Sequence, residues 1–373
     1  MQIGSQGQNL TPEDQLYLLT RAGMFLTATR GFGAPEARIC YEHAESLCHS
    51  LDRPVLLYSA LMGQWRYSLS TDKLSATVKI AKRVYTLAQE QNDTALTIGA
   101  CRALACTLYF MGEFETTRQH AMRGVELWRS GSVPSSTEEV HSPAVLCLCF
   151  QALCEWHLGE ITFCQTTMAE AIDLAKALND THALAIALYL AAFLSHYERN
   201  PAVVECLASE LIEVCTRQNF ALWPPVGVVL RGWARSTSGN IAEGISWIED
   251  GISDYRVTGS VLTLPFLLTL KAEALHLADR NSEALEGIKE AEALVERFQR
   301  RVWCVELHRL RGVFLAAMGA EETQIEAAFC EAIRIAREQK SISLEKRAEG
   351  TYTEYRRQKA SASAGRGFRL PLC

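Results

Sequence analysis

Apolar and small residues recur along the chain in a column with a period of 40 residues. The anchors of this column are 40 residues apart, except for one step of 47 and one of 41: Ala44, Val84, Gly124, Ala171, Leu211, Gly251, Ala291 and Ala332. The position three residues before each anchor is apolar, and so is the position three residues after it, except at Asp254. Because residues three or four apart share one face of a helix, the column predicts one helix in each repeat.

A second column predicts a partner helix ahead of each of these helices. Small residues recur seven residues before a position that most often holds glycine or aspartate: Ala105, Ala152, Ala192, Gly232 and Ala272. Glycine and aspartate suit a tight turn between antiparallel helices. Phe25 and Trp65 are bulkier exceptions in the first two repeats. We therefore predict that the five small residues are buried where paired helices cross.

Together the columns predict an all-α fold, a TPR-like right-handed superhelical solenoid of about eight 40-residue helix-turn-helix repeats plus a capping helix. We expect sixteen to eighteen helices and no sheet. The predicted first helices cover about 13–30, 55–69, 94–111, 143–158, 182–198, 224–238, 262–278 and 302–318, their partners about 35–51, 73–91, 114–130, 160–178, 201–218, 241–257, 281–299 and 321–340, and the cap about 342–358.

The superhelix is expected to occupy residues 12–358, between a disordered amino terminus, 1–11, and a disordered tail, 359–373. The tail sequence SASAGRGFRLPLC is rich in small residues, so we expect it not to pack. The polar segment 130–140 contains proline and glycine, which favours a loop at the one 47-residue step.

Charge and hydropathy exclude several classes of partner. The 37 basic and 43 acidic residues are spread along the chain and give a net charge of −6, which is unsuited to binding nucleic acid. The sequence has neither a signal peptide pattern at its start nor an apolar run of eighteen residues without charge. We therefore expect no membrane partner and a cytoplasmic location.

No motif for catalysis, a cofactor or a metal is found. The chain lacks GxxxxGK[ST], HExxH and GxSxG, and the GxG at 31–33 lacks the preceding strand that a dinucleotide site requires. None of the 13 cysteines forms a CxxC pair, so they are expected to be free, buried thiols, with a metal or disulfide role as the alternative. We assign no catalytic, cofactor-binding or metal-binding residue and expect no enzyme activity.

Five aromatic residues are candidates for contact with a ligand, because first helices line the concave surface of a TPR array: Trp65, Tyr109, Trp156, Tyr189 and Trp233. Aromatic rings at such spacing also pack between repeats, so both interpretations stand at this point.

Charged residues in the last repeat suggest how the capping helix is held. First helices of successive repeats lie side by side, so Arg309 or Arg311 is predicted to pair with Glu345 across the seam between the two helices. The alternative is a set of exposed charges, each worth well under ~1 kcal/mol.

Four segments carry a resemblance to a known family: GFGAPE (31–36), GWA (232–234), WCVELHRLRG (303–312) and AIRIAREQKSISLEKRA (332–348). They resemble the carboxyl-terminal TPR region of large bacterial signalling proteins, where it follows a class III adenylate or guanylate cyclase domain and a STAND-type ATPase domain. They are also similar to the repeat region of maltose-regulon type transcription activators. The resemblance spans about Leu16 to Lys359 and implies a regulatory role, in which the repeats bind an effector or partner and bias the upstream ATPase.

Two hypotheses about function follow. The first is a non-catalytic interaction and regulatory scaffold, a sensor region that binds a protein segment or the upstream ATPase and cyclase region. The second is a small-molecule sensor that binds its effector inside the superhelix and shifts a conformational equilibrium.

Overall fold

The computed structural model describes residues 10–131, 141–361 and Leu370, and all regular structure in these ranges is helical. The helices are α1 Pro12–Arg30, α2 Pro35–Leu51, α3 Pro54–Thr71, α4 Leu74–Glu90, α5 Thr94–Met111, α6 Phe114–Ser130, α7 Pro143–His157, α8 Ile161–Ala177, α9 Thr181–Tyr197, α10 Pro201–Gln218, α11 Trp223–Thr237, α12 Ile241–Val257, α13 Leu264–Leu277, α14 Asn281–Phe298, α15 Cys304–Ala317, α16 Glu322–Glu338 and α17 Ile342–Ser361. A 3-10 turn, Arg301–Trp303, precedes α15. The predicted all-helical repeat fold is confirmed.

Local sequence explains where the helices begin and end. Thr11 caps α1 in a capping box, with its hydroxyl accepting from the Asp14 amide at 3.1 Å. The Asp93 side chain caps α5 by accepting from the Leu96 amide at 3.0 Å. The turn after α5 needs a left-handed residue, which Gly112 supplies with a φ of 83°. The predicted turn position in that repeat is therefore confirmed.

The helices form two layers. Even-numbered helices make the outer layer and bury one stripe each: in α4 the buried residues are Leu74, Thr77, Ala81, Val84 and Ala88. Odd-numbered helices make the inner layer, because each contacts the next odd-numbered helix as well as its partners in sequence. The inner helices α5, α7, α9 and α13 are apolar over most of their length. One of them, α5, is long and apolar enough to cross a membrane by composition, but 78% of it is buried inside the solenoid.

The five recurring small residues lie where the columns predict. Ala105, Ala152, Ala192 and Ala272 are fully buried, and Gly232 is also buried. A Cβ atom on Gly232 would lie 2.7 Å from the main-chain oxygen of Gly244 in the partner helix. The paired helices thus approach each other more closely than a larger side chain permits, and the prediction is confirmed.

The superhelix returns over itself, so that its second turn contacts its first. The 3-10 turn contacts α5, and α17 contacts α7. The main-chain oxygen of Leu69 accepts a hydrogen bond from a side chain 231 residues later in the chain. The main-chain oxygen of Trp156 accepts one from a side chain 187 residues later. The inner helices of both turns therefore surround one axial space, which we call the lumen.

Much of the two predicted disordered ends, and most of the predicted loop at 130–140, lies outside the described residues. Where the ends are described, the structure differs in two respects. Helix α17 continues to Ser361, three residues past the predicted boundary, and Leu370 is buried. The expectation that the tail does not pack therefore fails at Leu370, because this residue finds apolar side chains of the main core.

Candidate functional site

The lumen narrows to an apolar cavity of about 50 Å³. Each of five successive inner helices contributes to its lining, including Trp65 of α3, Arg102 of α5, Phe150 of α7, Tyr189 of α9 and Trp223 of α11. One water molecule needs roughly 10–15 Å³ of such space. In this closed form the cavity therefore has room for only a few water molecules.

Ring packing fixes the shape of the cavity wall. The rings of Tyr189 and Trp223 are stacked with centres 5.4 Å apart, and Phe32 meets Trp223 edge-on at 6.0 Å. The guanidinium carbon of Arg102 lies 4.6 Å from the ring centre of Trp65. Such contacts hold the rings in defined orientations, so that their faces and edges form a preformed surface.

Buried polar atoms accompany these rings. Trp223 Nε1, His141 Nδ1 and His182 Nδ1 have no hydrogen-bond partner among the described residues. Trp223 and His141 line the cavity, while His182 stacks on His141 with ring centres 5.3 Å apart. Burial lowers the pKa of His182 to about 3 and holds the pKa of His141 well below its usual value. Both imidazoles are therefore neutral near pH 7, and the site offers hydrogen-bonding atoms to an occupant.

The second superhelical turn closes the lumen. The Val261 amide donates to the Ser70 main-chain oxygen at 2.9 Å, and Arg300 Nη2 donates to the Leu69 main-chain oxygen at 2.8 Å. Leu262, next to Val261, lines the cavity itself. These contacts hold the second turn against the first beside the cavity.

A buried carboxylate joins three inner helices beside the lumen. Glu273 of α13 accepts from both terminal nitrogens of Arg199, at 2.6 and 2.8 Å, and from Trp233 Nε1 of α11 at 2.7 Å. His196 Nε2 of α9 lies 3.2 Å from the same carboxylate. Burial alone would raise the pKa of Glu273, but Arg199 and His196 hold it well below its usual range. Glu273 is thus an ionised acceptor that locks α9, α11 and α13 together.

A second buried ion cluster docks the last helix. Glu306 of α15 accepts from Arg309 Nε at 3.0 Å and Nη2 at 2.8 Å, and its Oε1 lies 3.1 Å from Arg347 Nε of α17. Arg347 Nη1 also donates to the Tyr197 main-chain oxygen at 2.9 Å. Burial would raise the pKa of Glu306, but the two arginines lower it to about 2. The cluster therefore connects α17 to both α15 and α9.

The predicted pair between Arg309 or Arg311 and Glu345 is wrong. Glu345 is bound by Arg337 of α16 at 2.6 Å, and Arg311 binds Glu292 of α14 at 2.8 Å. The seam between α15 and α17 does carry an ion pair, but with the charges the other way round, since the arginine comes from α17. The physical reason is the rotation of α17, which turns Arg347 inward and Glu345 toward α16.

All five aromatic candidates are buried, and two of them line the cavity. These two are Trp65 and Tyr189. Trp233 belongs to the Glu273 cluster, Trp156 stacks on a tyrosine of α9 at 4.5 Å, and Tyr109 packs against aromatic rings of α5 to α7. That any of the five touches a ligand remains a prediction.

The repeat pattern of the sequence does not predict the polar groups of the lumen. A usable signal was present, because Arg102 and Glu273 each interrupt a strongly apolar helix. A charge inside such a helix is buried and needs a partner. His141 and Trp223 stand at helix starts and gave no comparable signal.

The fold belongs to the class of TPR-like helical-repeat solenoids, and comparisons with known proteins agree. A Rap protein complexed with competence and sporulation factor matches with a TM-score of 0.66 and 13% identity over 90% of this chain and 89% of that one. NprR in complex with its cognate peptide NprX matches with a TM-score of 0.56 and 11% identity over 95% and 94%. At this identity the likeness shows the fold alone. A STAND protein with a TPR sensor from Pyrococcus horikoshii scores 0.44, too low to support an argument.

Sequence comparison reaches one curated relative but no family. No model of a known protein family matches the chain. An uncharacterized protein of Rhizobium meliloti (strain 1021) is 23% identical over 343 residues, which cover 91% of this chain. The chain spans about a third of that relative, 33% of its length.

Proposed function

We propose that the chain is a non-catalytic interaction and regulatory scaffold whose lumen binds an extended polypeptide segment. The observation that carries the proposal is the lumen itself, where inner helices of two superhelical turns bring aromatic faces and buried polar atoms around one axis. The similar folds of the Rap protein and NprR, each solved with a signalling factor or peptide, support a peptide as the class of ligand.

The chemistry of the lumen suits an extended main chain. Such a segment offers a carbonyl acceptor and an amide donor at every residue. Trp223 Nε1 and the Arg102 guanidinium are donors on the lumen wall, and the neutral imidazole of His141 can donate or accept there. Apolar side chains of the segment would pack on the rings of Trp65 and Tyr189.

Regulation follows from the need to open the lumen. A segment that binds there favours the form in which the turns are separated, and it shifts the equilibrium by its difference in affinity for the two forms. We extend the proposal to a cytoplasmic sensor region in which this movement biases an attached signal-transduction ATPase and cyclase. The four segments described above, and the greater length of the Rhizobium relative, support this context.

The alternative ligand is a small effector molecule. The unpartnered atoms of His141 and Trp223 would suit it equally well. A cavity of about 50 Å³ is much smaller than the ~300–1,000 Å³ of ordinary small-molecule sites. A small effector would therefore also require the turns to part, with fewer contacts to offset the loss of the closing interactions.

Selection from a phage library of random 12-residue peptides, followed by fluorescence anisotropy with the synthetic winners, tests the proposal. Ile186→Trp places a larger side chain in the lumen, because Ile186 lines the cavity. Ile161→Trp is the matched control on outer helix α8, where Ile161 is 37% exposed. We expect Ile186→Trp to weaken peptide binding at least tenfold and Ile161→Trp to leave it unchanged.

Circular dichroism checks that both variants fold, and Ile186→Phe replaces Ile186→Trp if overpacking prevents folding. Equal affinities for the two variants would contradict the lumen as the peptide site. If no peptide is selected and a metabolite instead raises the melting temperature of the wild-type chain but not of Ile186→Trp, the small-effector alternative is correct.

A further inference from the structure

The amino-terminal inner helix α1 exposes apolar side chains on one face. In α5, 15 of 18 residues are buried, but α1 buries only four of its 19: Leu16, Thr20, Gly23 and Thr27. On the opposite side of α1, Phe25 is 67% exposed, and Leu18 is about half exposed. Exposed apolar side chains that share one helix face mark a surface on which other chain packs.

The 40-residue period shows that these are packing positions. Forty residues after Leu18 stands Tyr58, and forty after Phe25 stands Trp65, and both of these residues of α3 are buried. The positions one further period along, in α5, are buried as well: Ile98 and Ala105. Within the described chain, α1 packs against α2 and α3. Its outward face therefore has the composition of a packed surface although it is open.

The other end of the solenoid is built differently. Apart from Ile342 at its start, the exposed face of α17 is polar and carries four basic residues: Lys346, Arg356, Arg357 and Lys359. A terminal repeat whose outer face meets water needs such a polar surface. By this comparison α17 is suited to end the array in solvent, and α1 is suited to pack against another helix.

The exposed face of α1 carries a pattern that is complementary to itself. Asp14, Leu18, Arg21 and Phe25 follow one another at intervals of four, three and four residues, the spacing of a seam between two helices, and all four are exposed. We call these four residues the α1 stripe. Arg21 lies three residues after Leu18 and Asp14 four before it, while Phe25 lies seven after and Leu10 eight before. Opposite charges, and then apolar side chains, are thus placed at nearly equal distances on the two sides of Leu18.

We propose that the α1 stripe binds the α1 stripe of a second copy of this chain, with the two helices antiparallel about a two-fold axis beside Leu18. In such an isologous contact each residue meets its counterpart reciprocally. The two Leu18 side chains meet at the axis, and Phe25 of each copy packs over Leu10 of the other. Asp14 of each copy faces Arg21 of the other. Neither Leu18 nor Phe25 lines the cavity of the lumen, so this contact is independent of the proposed function.

The charged groups are positioned for this pairing. Asp14 Oδ2 accepts from the Thr11 amide at 3.2 Å and from the Thr11 hydroxyl at 2.7 Å, which fixes the carboxylate at the start of α1. The second carboxylate oxygen remains as an acceptor. The Arg21 guanidinium carbon lies 5.3 Å from the ring centre of Tyr17 on the same helix, and its five N–H groups allow it to keep this contact while it donates to Asp14 of the second copy.

The area of the face decides how strong the dimer is. Leu10, Tyr17 and Leu18 are about half exposed and Phe25 about two thirds, which corresponds to roughly 400 Å² of apolar surface in each copy. With the polar rim, two copies bury about 1,000 Å² in total, the lower limit for a specific interface. We therefore expect a weak dimer whose population depends on protein concentration.

Sedimentation-velocity ultracentrifugation of the full chain over roughly 1–300 µM tests the proposal. We expect the wild-type chain to pass from monomer to dimer within this range. Phe25→Glu places a charge in the apolar contact and should raise the dissociation constant about tenfold or more. Phe163→Glu is the matched control, because Phe163 of outer helix α8 is 66% exposed, and it should dimerise like the wild type. A wild-type chain that stays monomeric, or equal effects of the two substitutions, would overturn the proposal.

Charge reversal tests the antiparallel pairing itself. Asp14→Arg and Arg21→Asp each bring like charges together in a dimer of identical copies, so each variant alone should dimerise about tenfold or more weakly than the wild type. A mixture of the two variants restores opposite charges at both contacts. We expect a mixed dimer, detected by energy transfer between fluorophores on the two amino termini. Loss of the Asp14 capping interaction cannot produce this rescue, and a mixture that dimerises no better than either variant alone would contradict the proposed contact.

Discussion

Replacing Glu273 by alanine removes the carboxylate around which three inner helices are arranged. Glu273 is fully buried and accepts from Arg199, Trp233 and His196. Alanine removes the carboxylate that the Trp233 indole N–H and the Arg199 guanidinium share. It also leaves a cavity where the side chain had been. The variant therefore tests whether the buried cluster stabilises the superhelix.

Removing one partner of a buried ion pair costs about 3–5 kcal/mol, because the remaining charge is left in a poorly solvated place. The Arg199 side chain is 14% exposed, so water can reach part of the guanidinium. We therefore expect the lower part of that range, a loss of about 3–4 kcal/mol in the free energy of unfolding. The double variant Arg199→Ala with Glu273→Ala should be more stable than Glu273→Ala alone, because the buried guanidinium that loses its carboxylate is removed as well.

Urea unfolding followed by circular dichroism measures this loss, and amide exchange in α9 and α11 shows where it acts. Glu249→Ala is the matched control, since Glu249 pairs with Lys271 at 2.9 Å but is 47% exposed. An exposed pair contributes about 0–1 kcal/mol. If Glu273→Ala and Glu249→Ala destabilise the chain to within about 1 kcal/mol of each other, the cluster does not have the role assigned to it.

Three further predictions concern other parts of the structure. Because the pKa of His182 is lowered to about 3, the unfolded chain binds a proton that the folded chain excludes between pH 6.5 and 3, so stability should fall as pH decreases through this window. His182→Phe should reduce that slope in pH-dependent urea unfolding by up to about 1.4 kcal/mol per pH unit, and an unchanged slope would contradict the assignment. Gly63→Ala should destabilise the chain by about 1–3 kcal/mol, since its Cβ would lie 2.3 Å from the ring of Tyr41. Gly350→Ala, with no atom within 4 Å of its Cβ, should instead stabilise α17 by up to ~1 kcal/mol. Both effects are measured as shifts in melting temperature, and similar shifts of the same sign would refute this prediction. Arg347→Ala should speed amide exchange in α17 and leave α1 to α6 protected, and a uniform change along the chain would argue against local docking.

The repeat boundaries could be predicted from the sequence because they depend on neighbours close along the chain. The predicted ranges for α2, α10 and α12 agree with the structure at both ends. Each of these helices packs its stripe against helices that adjoin it in sequence. A period of 40 residues therefore records contacts that repeat every 40 residues. The same argument explains why the small residue at Ala152 was correctly placed at a helix crossing.

The lumen could not be predicted in the same way. Its closure depends on which residue of the second turn meets which residue of the first, as in the bond between Val261 and Ser70. That meeting point is set by the rotation between repeats, summed over about five of them, and a small change in each rotation moves it by many ångströms. No spacing in the sequence reports such a sum.

The wrong prediction of the ion pair between α15 and α17 has a different cause, because the sequence does indicate which charged residue of α17 faces α15. The buried stripe of α17 consists of Leu344, Ala348, Thr351 and Tyr355. Arg347 is three residues after Leu344 and four before Thr351, so it shares the face of this stripe. Glu345 follows Leu344 directly and is rotated from it by about 100°. The charge that meets a neighbouring helix is therefore the one in register with the apolar stripe, and by this rule Arg347 is the residue expected to pair with a carboxylate of α15.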